Sequence, residues 1–329
     1  MNESPPGPSA RSLPPGNFPD RWIHGPSSPA GPPDPPIQVH RYDPATYILR
    51  ESKGVSFEAP FLYLFFGADR AILFDTGTAA DGRRFPLRST VDALVNDWLV
   101  RNPREGYELV VAHTHGHSDH VSGDPQFRGR PLTRIVGRTA EEVHRFFGFS
   151  GPTAGPRAFE LGGRSLLIFP IPGHHSASIA IYDARTGFLL TGDALLPGRL
   201  YVFDMESYRA SVDRLVQFAQ THPVRFLMGG HVEMSREHGR DFPLGALYQP
   251  GEHPLELAPE RLLPLRDALS SVASTRGIHR FDEFVLYNGV GTLTVLSEFR
   301  RGRRYNRAWR KGRLSAPETA RAPREPPSR

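Results

Sequence analysis

His113-Thr114-His115-Gly116-His117-Ser118-Asp119-His120 is the stretch that decides how this chain folds and what it does. It follows Leu109-Val110-Val111-Ala112, a short apolar run that reads as a buried strand. Four possible metal ligands, His113, His115, Asp119 and His120, stand at i, i+2, i+6 and i+7. That spacing suits a tight loop better than one face of a helix, and Gly116 lets the backbone turn. Folded back, such a loop aims His113 and His115 at one ion and Asp119 and His120 at a second. His117 then reads as a supporting or surface residue inside the loop.

Further ligand candidates follow at strand ends. Phe74-Asp75-Thr76-Gly77 ends the apolar run Ala71 to Phe74, the return strand of a hairpin that begins with Phe61 to Phe66. Pro172-Gly173-His174 follows a strand at Ser165 to Pro170. Leu190-Thr191-Gly192-Asp193 ends another, and Gly229-Gly230-His231 follows Val224 to Met228. Helical spacing is expected from Thr90 to Val100, after a capping box at Thr139 to Glu142, and from Ser207 to Gln220. Strands interspersed with helices give a mixed α/β class. No Gly-x-Ser-x-Gly elbow, P-loop or dinucleotide glycine pattern is present.

Together these elements resemble the metallo-β-lactamase superfamily. The histidine loop resembles its HxHxDH signature, and the five elements occur in the family's order over roughly Ile37 to Val232. The resemblance implies a four-layer αββα sandwich. It further implies one metal on His113, His115 and His174 and a second on Asp119, His120 and His231, with Asp193 bridging. Asp119 is also the candidate catalytic carboxylate that orients the attacking hydroxide, and Asp75 supports the ligand loops by hydrogen bonding. All-N/O donors suit zinc, with iron or manganese also compatible. The activity implied is a dinuclear metal-dependent hydrolase using a metal-bridging hydroxide on a small ester, thioester, lactone or lactam. Glyoxalase II-like thioesterases share the Thr-His-x-His-x-Asp-His string, but residues 240 to 299 do not match their glutathione pocket. His175 and Glu233 stand beside ligand candidates, and Tyr201 reads as a core aromatic in preference to an oxyanion donor.

Composition narrows the rest. The chain has 329 residues and no cysteine, which excludes disulfides, thiolate metal sites and cysteine nucleophiles and leaves the 14 His, with Asp and Glu, to hold any metal. The net charge of +5 is unevenly spread: residues 300 to 329 carry 11 basic and 2 acidic side chains, so the body is mildly acidic. A phosphate backbone suits that body poorly, and nucleic acid is disfavoured as a partner relative to a small-molecule substrate. The 38 residues from Asp193 to His231 leave no room for the added domain of the nuclease branches. Residues 1 to 36, rich in Pro and Gly, read as a disordered leader; 37 to 299 read as the catalytic domain; 300 to 329 read as a disordered basic tail with a short helix around Trp309. No run spans a bilayer and no signal peptide is visible, so a cytoplasmic protein is expected. Two rival readings are a mononuclear iron oxidoreductase resembling the persulfide dioxygenases, and a nucleic-acid or partner-binding protein acting through the tail.

Overall fold

A computed structural model describes residues 16 to 314. The first six strands are β1 (Ile37–Asp43), β2 (Thr46–Glu51), β3 (Phe61–Phe66), β4 (Arg70–Phe74), β5 (Glu108–Ala112) and β6 (Thr133–Ile135). They form one sheet in sequence order, antiparallel as far as β4 and parallel from β4 to β6. Then come β7 (Arg157–Glu160), β8 (Ser165–Pro170), β9 (Ile179–Asp183), β10 (Phe188–Gly192), β11 (Arg199–Val202), β12 (Phe226–Gly229) and β13 (Glu256–Leu257). The second sheet has the order β13-β12-β10-β9-β8-β7. A small third sheet joins β11 to β15 (Val285–Asn288) and β14 (Gly277–Arg280).

The central strands β3, β4, β9 and β10 are buried on both faces, which is why they are nearly continuous apolar runs without alternation. Within β3, Phe61, Tyr63 and Phe65 point between the sheets, with Ile72, Phe74 and Val110 of β4 and β5. They meet Ile179, Ile181, Phe188, Leu190 and Met228 of the second sheet. The alternate residues Leu62, Leu64 and Phe66 face outward onto Leu87, Val91 and Val95 of helix α1 (Leu87–Arg101). Two short helices follow, α2 (Ser118–Val121) and α3 (Ala140–Phe147). On the far side, Ala180, Tyr182, Leu189 and Leu227 pack against α4 (Met205–Thr221) and α5 (Leu262–Val272). The layers are therefore helix, sheet, sheet, helix, as the αββα expectation requires. The last helix is α6 (Thr292–Arg310).

Helix ends differ in detail from the sequence reading. The capping box Thr139–Glu142 forms as expected. However, α1 starts at Leu87, because the Thr90 hydroxyl donates back to the Pro86 carbonyl at 2.8 Å instead of capping. The cap of α4 is Asp204, whose carboxylate accepts the Ser207 N–H at 3.1 Å.

The two ends also depart from the expected disorder. Residues 16 to 36 have almost no regular structure, as Pro and Gly dictate, yet they are packed. Trp22 is buried edge-on against Phe61 at 5.0 Å, and Phe18 stacks on Phe188 at 6.0 Å. Two aromatic anchors suffice to dock a segment that cannot pair as strand. At the other end, residues 300 to 310 continue α6; Arg301 donates to the Asp241 carboxylate at 2.7 Å, and Trp309 is buried with its indole N–H on the Pro26 carbonyl. The outer parts of the expected leader and tail, residues 1 to 15 and 315 to 329, lie outside the described residues.

One buried ion pair ties the sheets together. Arg164 donates to Asp183 at 2.7 and 3.0 Å, to the Ala45 carbonyl at 2.6 Å and to the Thr46 hydroxyl at 2.8 Å, so it spans from the second sheet to the first. Asp183→Ala is expected to destabilise the fold by about 3–5 kcal/mol, since it strands a buried guanidinium. Burial opposes ionisation of Asp183, but Arg164 and Thr186 outweigh it and hold the carboxyl below its ordinary range. A carboxyl depressed in the folded state stabilises at pH above its unfolded value, about 4, and loses that contribution as pH falls through the folded value. Urea denaturation of both proteins at neutral and acid pH checks this: the gap between them should narrow only in acid.

Candidate metal centre

The ligand candidates gather at one edge of the sandwich because each follows a strand that ends there. Asp75 comes after β4, the histidine loop after β5, His174 after β8, Asp193 after β10 and His231 after β12. The strands are clamped at that edge: the Phe61 N–H donates to the Gly230 carbonyl at 2.8 Å and the Tyr63 hydroxyl to the Gly229 carbonyl at 2.6 Å. Rigid strand ends fix the loops that carry the side chains.

Two clusters of donor atoms result. His115, His117 and His174 form the first, with the His117 Nδ1 3.0 Å from the His115 Nε2 and 2.9 Å from the His174 Nε2. Asp119, His120, Asp193 and His231 form the second, with the His231 Nε2 3.3 Å from both the His120 Nε2 and the Asp119 carboxylate. Asp193 reaches both clusters. One of its oxygens is 3.6 and 3.7 Å from His120 and His231, and the other is 3.7 Å from His174.

His113 belongs to neither cluster, contrary to the sequence reading. Its Nε2 lies 2.8 Å from Asp124, a carboxylate that also accepts from Thr76 at 2.9 Å and Arg138 at 2.8 Å. His113 is thus part of the buried support beneath the loop, and His117 takes the place expected of it. The physical reason is the turn at Gly116, where a Cβ would lie 2.7 Å from the Arg138 carbonyl and 2.9 Å from the His175 ring. The turn swings His117 back beside His115, and α2 then presents Asp119 and His120. Counting back from Asp119-His120 in the H-x-H-x-D-H string gives His115 and His117, so the signal was present in the spacing. His175 stays outside both clusters; its Nδ1 accepts the Ala177 N–H.

The outer nitrogens of the histidines explain why the inner ones are free. His174 and His231 donate through Nδ1 to the carbonyls of Tyr201 and Glu58, each at 3.0 Å. His120 does the same to Asp75 at 3.0 Å. These oxygens only accept, so Nδ1 carries a proton and Nε2 faces inward, where deprotonated it offers its lone pair to a metal. Asp75 also accepts the Thr114 N–H at 2.7 Å and its hydroxyl at 2.9 Å, the support expected of it, from a strained φ of +69°.

Charge at the site favours cations. Burial opposes ionisation of Asp119 and Asp193, but His120 and His231 outweigh it and hold both carboxyls far below the ordinary range. Burial drives His115 well down, and burial with the neighbouring His174 and His175 brings His117 to about 4. Both are neutral imidazoles at pH 7. His231 is opposite: burial lowers it, yet Asp193 and Asp119 lift it to about 9. The second cluster therefore draws positive charge to itself. One Asp193 oxygen is buried without a hydrogen-bond partner, which a bound cation would satisfy. By donor type, convergence and charge, each cluster could hold a divalent metal ion. Zinc suits imidazole and carboxylate donors, as iron and manganese do.

Beside the donors lies a cavity of about 260 Å³, reached by Glu58, Arg199, Tyr201, Phe203, Glu233 and, from α6, Val295 and Phe299. Tyr201 is half-buried and lines this cavity, so it is not simply core. Glu233 is buried in an ion pair with Arg199, not exposed at the surface. Neither α6 nor Glu58 was singled out from sequence as part of the site.

Residues 57–231, more than half the chain, match the metallo-beta-lactamase superfamily. A hydroxyacylglutathione hydrolase from Synechococcus sp. (strain JA-2-3B'a(2-13)) is 32% identical over 152 residues, 44% of this chain and 56% of that protein. Another from Synechococcus sp. (strain JA-3-3Ab) is 29% identical over 58% of this chain and 77% of the relative. An acyl-coenzyme A thioesterase, MBLAC2 of Bos taurus, is 24% identical over 52% and 72%. The chain spans only about half the length of the first of these relatives. The matched segment carries the histidine loop, His174, Asp193 and His231 on an αββα sandwich, and the chain belongs to the metallo-beta-lactamase superfamily.

Proposed function

We propose that the chain is a dinuclear metal-dependent hydrolase of small carboxylic esters, with thioesters foremost. The observation that carries this is the convergence of seven donors, His115, His117, His174, Asp119, His120, Asp193 and His231, beside a cavity large enough for a small substrate. The names of the relatives, hydroxyacylglutathione hydrolase and acyl-coenzyme A thioesterase, favour the thioester among the ester-like substrates.

His115, His117 and His174 would hold one ion, Asp119, His120 and His231 the other, and Asp193 would sit between them. Bound there, two divalent ions acidify water and polarise a carbonyl oxygen. The protein supplies the rest. Asp119, ionised and partly open to the cavity, accepts a hydrogen bond from the attacking water and aims it. Asp75 and the Glu58 and Tyr201 carbonyls keep the imidazoles from rotating. Burial keeps the Tyr201 hydroxyl protonated, so it is a donor for charge developing on the substrate oxygen.

The test is elemental analysis of chelator-free protein followed by a panel of ester, thioester, lactone, lactam and phosphodiester substrates. About two transition ions per chain, with thioester or ester turnover abolished by chelation and restored by zinc, are expected. One iron per chain with oxygen uptake and no hydrolysis would replace this reading with an oxidoreductase.

A further inference from the structure

Part of the cavity wall is apolar. Val295 and Phe299 come from α6, Leu244 from the loop below it, and Phe203 from the residue after β11. Phe203 is 70% exposed although its ring lies 5.9 Å from His117 and 5.7 Å from His174. The ring stacks on Tyr201 at 6.4 Å and leaves most of its surface in water beside a donor cluster, an apolar surface open to a substrate. Phe299 is braced edge-on by Phe57 at 6.1 Å, so its side of the wall is preformed.

The charges on the same lining disfavour an anionic arm. Glu233 and Glu58, whose carboxyl burial pushes up to about 7, both face the cavity. Apart from the histidines of the donor clusters, its one cationic side chain among the described residues is Arg199, which is 3% exposed, with one Nη on Glu233 and the other on the Phe242 carbonyl at 2.8 Å. None of the many arginines of α6 is among the lining residues. Away from the donor clusters, a carboxylate or phosphate entering here would meet the Glu58 and Glu233 side chains and no open cation.

We infer that this cavity binds an uncharged apolar chain next to the scissile bond, so that the substrates are fatty or aryl acyl esters and thioesters and not the anionic conjugates of glutathione. The inference rests on the hydrolase reading for the bond that is cut, and on the α6 wall for the group that is bound. The wall is continuous with the donor clusters, which makes a substrate arm its occupant.

The experiment uses the full chain with its metals. Acetyl, butanoyl, hexanoyl and octanoyl thioesters of one neutral thiol, N-acetylcysteamine, are compared with S-lactoylglutathione. Binding of an unreactive octyl thioether is measured beside its methyl counterpart by calorimetry. Each methylene that enters the cavity is expected to raise kcat/KM about fourfold, with S-lactoylglutathione below the acetyl ester. The octyl thioether should bind and the methyl one should not. Phe203→Ala and Val295→Asp should flatten the series and abolish octyl binding with metal content intact. Leu293→Ala, on the same helix but outside the cavity, should leave the series steep. Turnover that is flat with chain length, or octyl binding that survives both wall variants, overturns the inference and leaves the hydrolase reading standing. Octyl binding lost in the wall variants, with no ester hydrolysed at all, leaves the apolar pocket standing and removes the hydrolase reading.

Discussion

Asp193→Asn is expected to cut turnover by about a hundredfold or more while leaving the fold nearly as stable. The exchange preserves shape and removes one negative charge at the point that reaches both clusters, 3.6 to 3.7 Å from His120, His231 and His174. Repulsion between two dications is then less compensated, and one should be lost or held weakly. Groups that act on charge in the transition state typically cost 10²–10³ in kcat when removed, which sets the scale. Asp193 makes no bond on which the core depends; one of its oxygens is buried without a hydrogen bond. The melting temperature should therefore shift little once bound metal is allowed for, because metal lost from the folded state itself lowers apparent stability. Asp204→Asn is the control. Asp204 caps α4 through Ser207, a role that Asn also fills, and it lies outside both clusters. Its metal content and turnover should match the unaltered chain. Two metals and near-normal activity in Asp193→Asn would remove Asp193 from the centre.

The second large effect separates two histidines four residues apart. His117→Ala deletes a donor whose Nδ1 lies within 3.0 Å of the inner nitrogens of His115 and His174. Metal content should fall toward one ion per chain and activity by about a hundredfold or more, with little loss of stability in the metal-free protein because His117 is half-exposed. His113→Ala should do the reverse. His113 is 3% exposed and its loss leaves Asp124 short of one partner, which costs about 1–3 kcal/mol in a buried network. Its metal content should stay close to that of the unaltered chain. Elemental analysis and denaturant titration of the two variants together decide the point. If His113→Ala loses an ion and His117→Ala does not, the first cluster is built as the sequence alone suggested.

How much was legible follows from what local sequence reports. Runs such as Phe61 to Phe66 announce strands buried on both faces, and the Gly-His and Gly-Asp pairs at their ends announce the loops. The slip at His113 arose because His113, His115 and His117 alternate, so composition does not say which two point inward. That depends on the Gly116 turn and on Asp124, eleven residues from His113, which claims that side chain. Residues 16 to 36 were read as disordered since Pro and Gly forbid regular structure, but docking through Phe18 and Trp22 is a tertiary event. Only the end of α6 around Trp309 is legible as helix in the sequence. Its buried face is sparse, with Glu298, Gly302 and Trp309, and shows no apolar period. Gly302 is there for close approach, since a Cβ would lie 1.9 Å from the Leu244 carbonyl. The apolar cavity wall is likewise invisible in sequence, because Phe203 and Val295 are 92 residues apart.

The most direct test of the metal centre is the number of metal ions per chain in protein purified without chelator, measured by elemental analysis alongside activity as the ions are withdrawn and returned. Close to two transition ions are expected, with loss of hydrolysis on their removal and recovery on adding zinc. A folded chain that holds no metal and still hydrolyses its substrate would contradict that expectation.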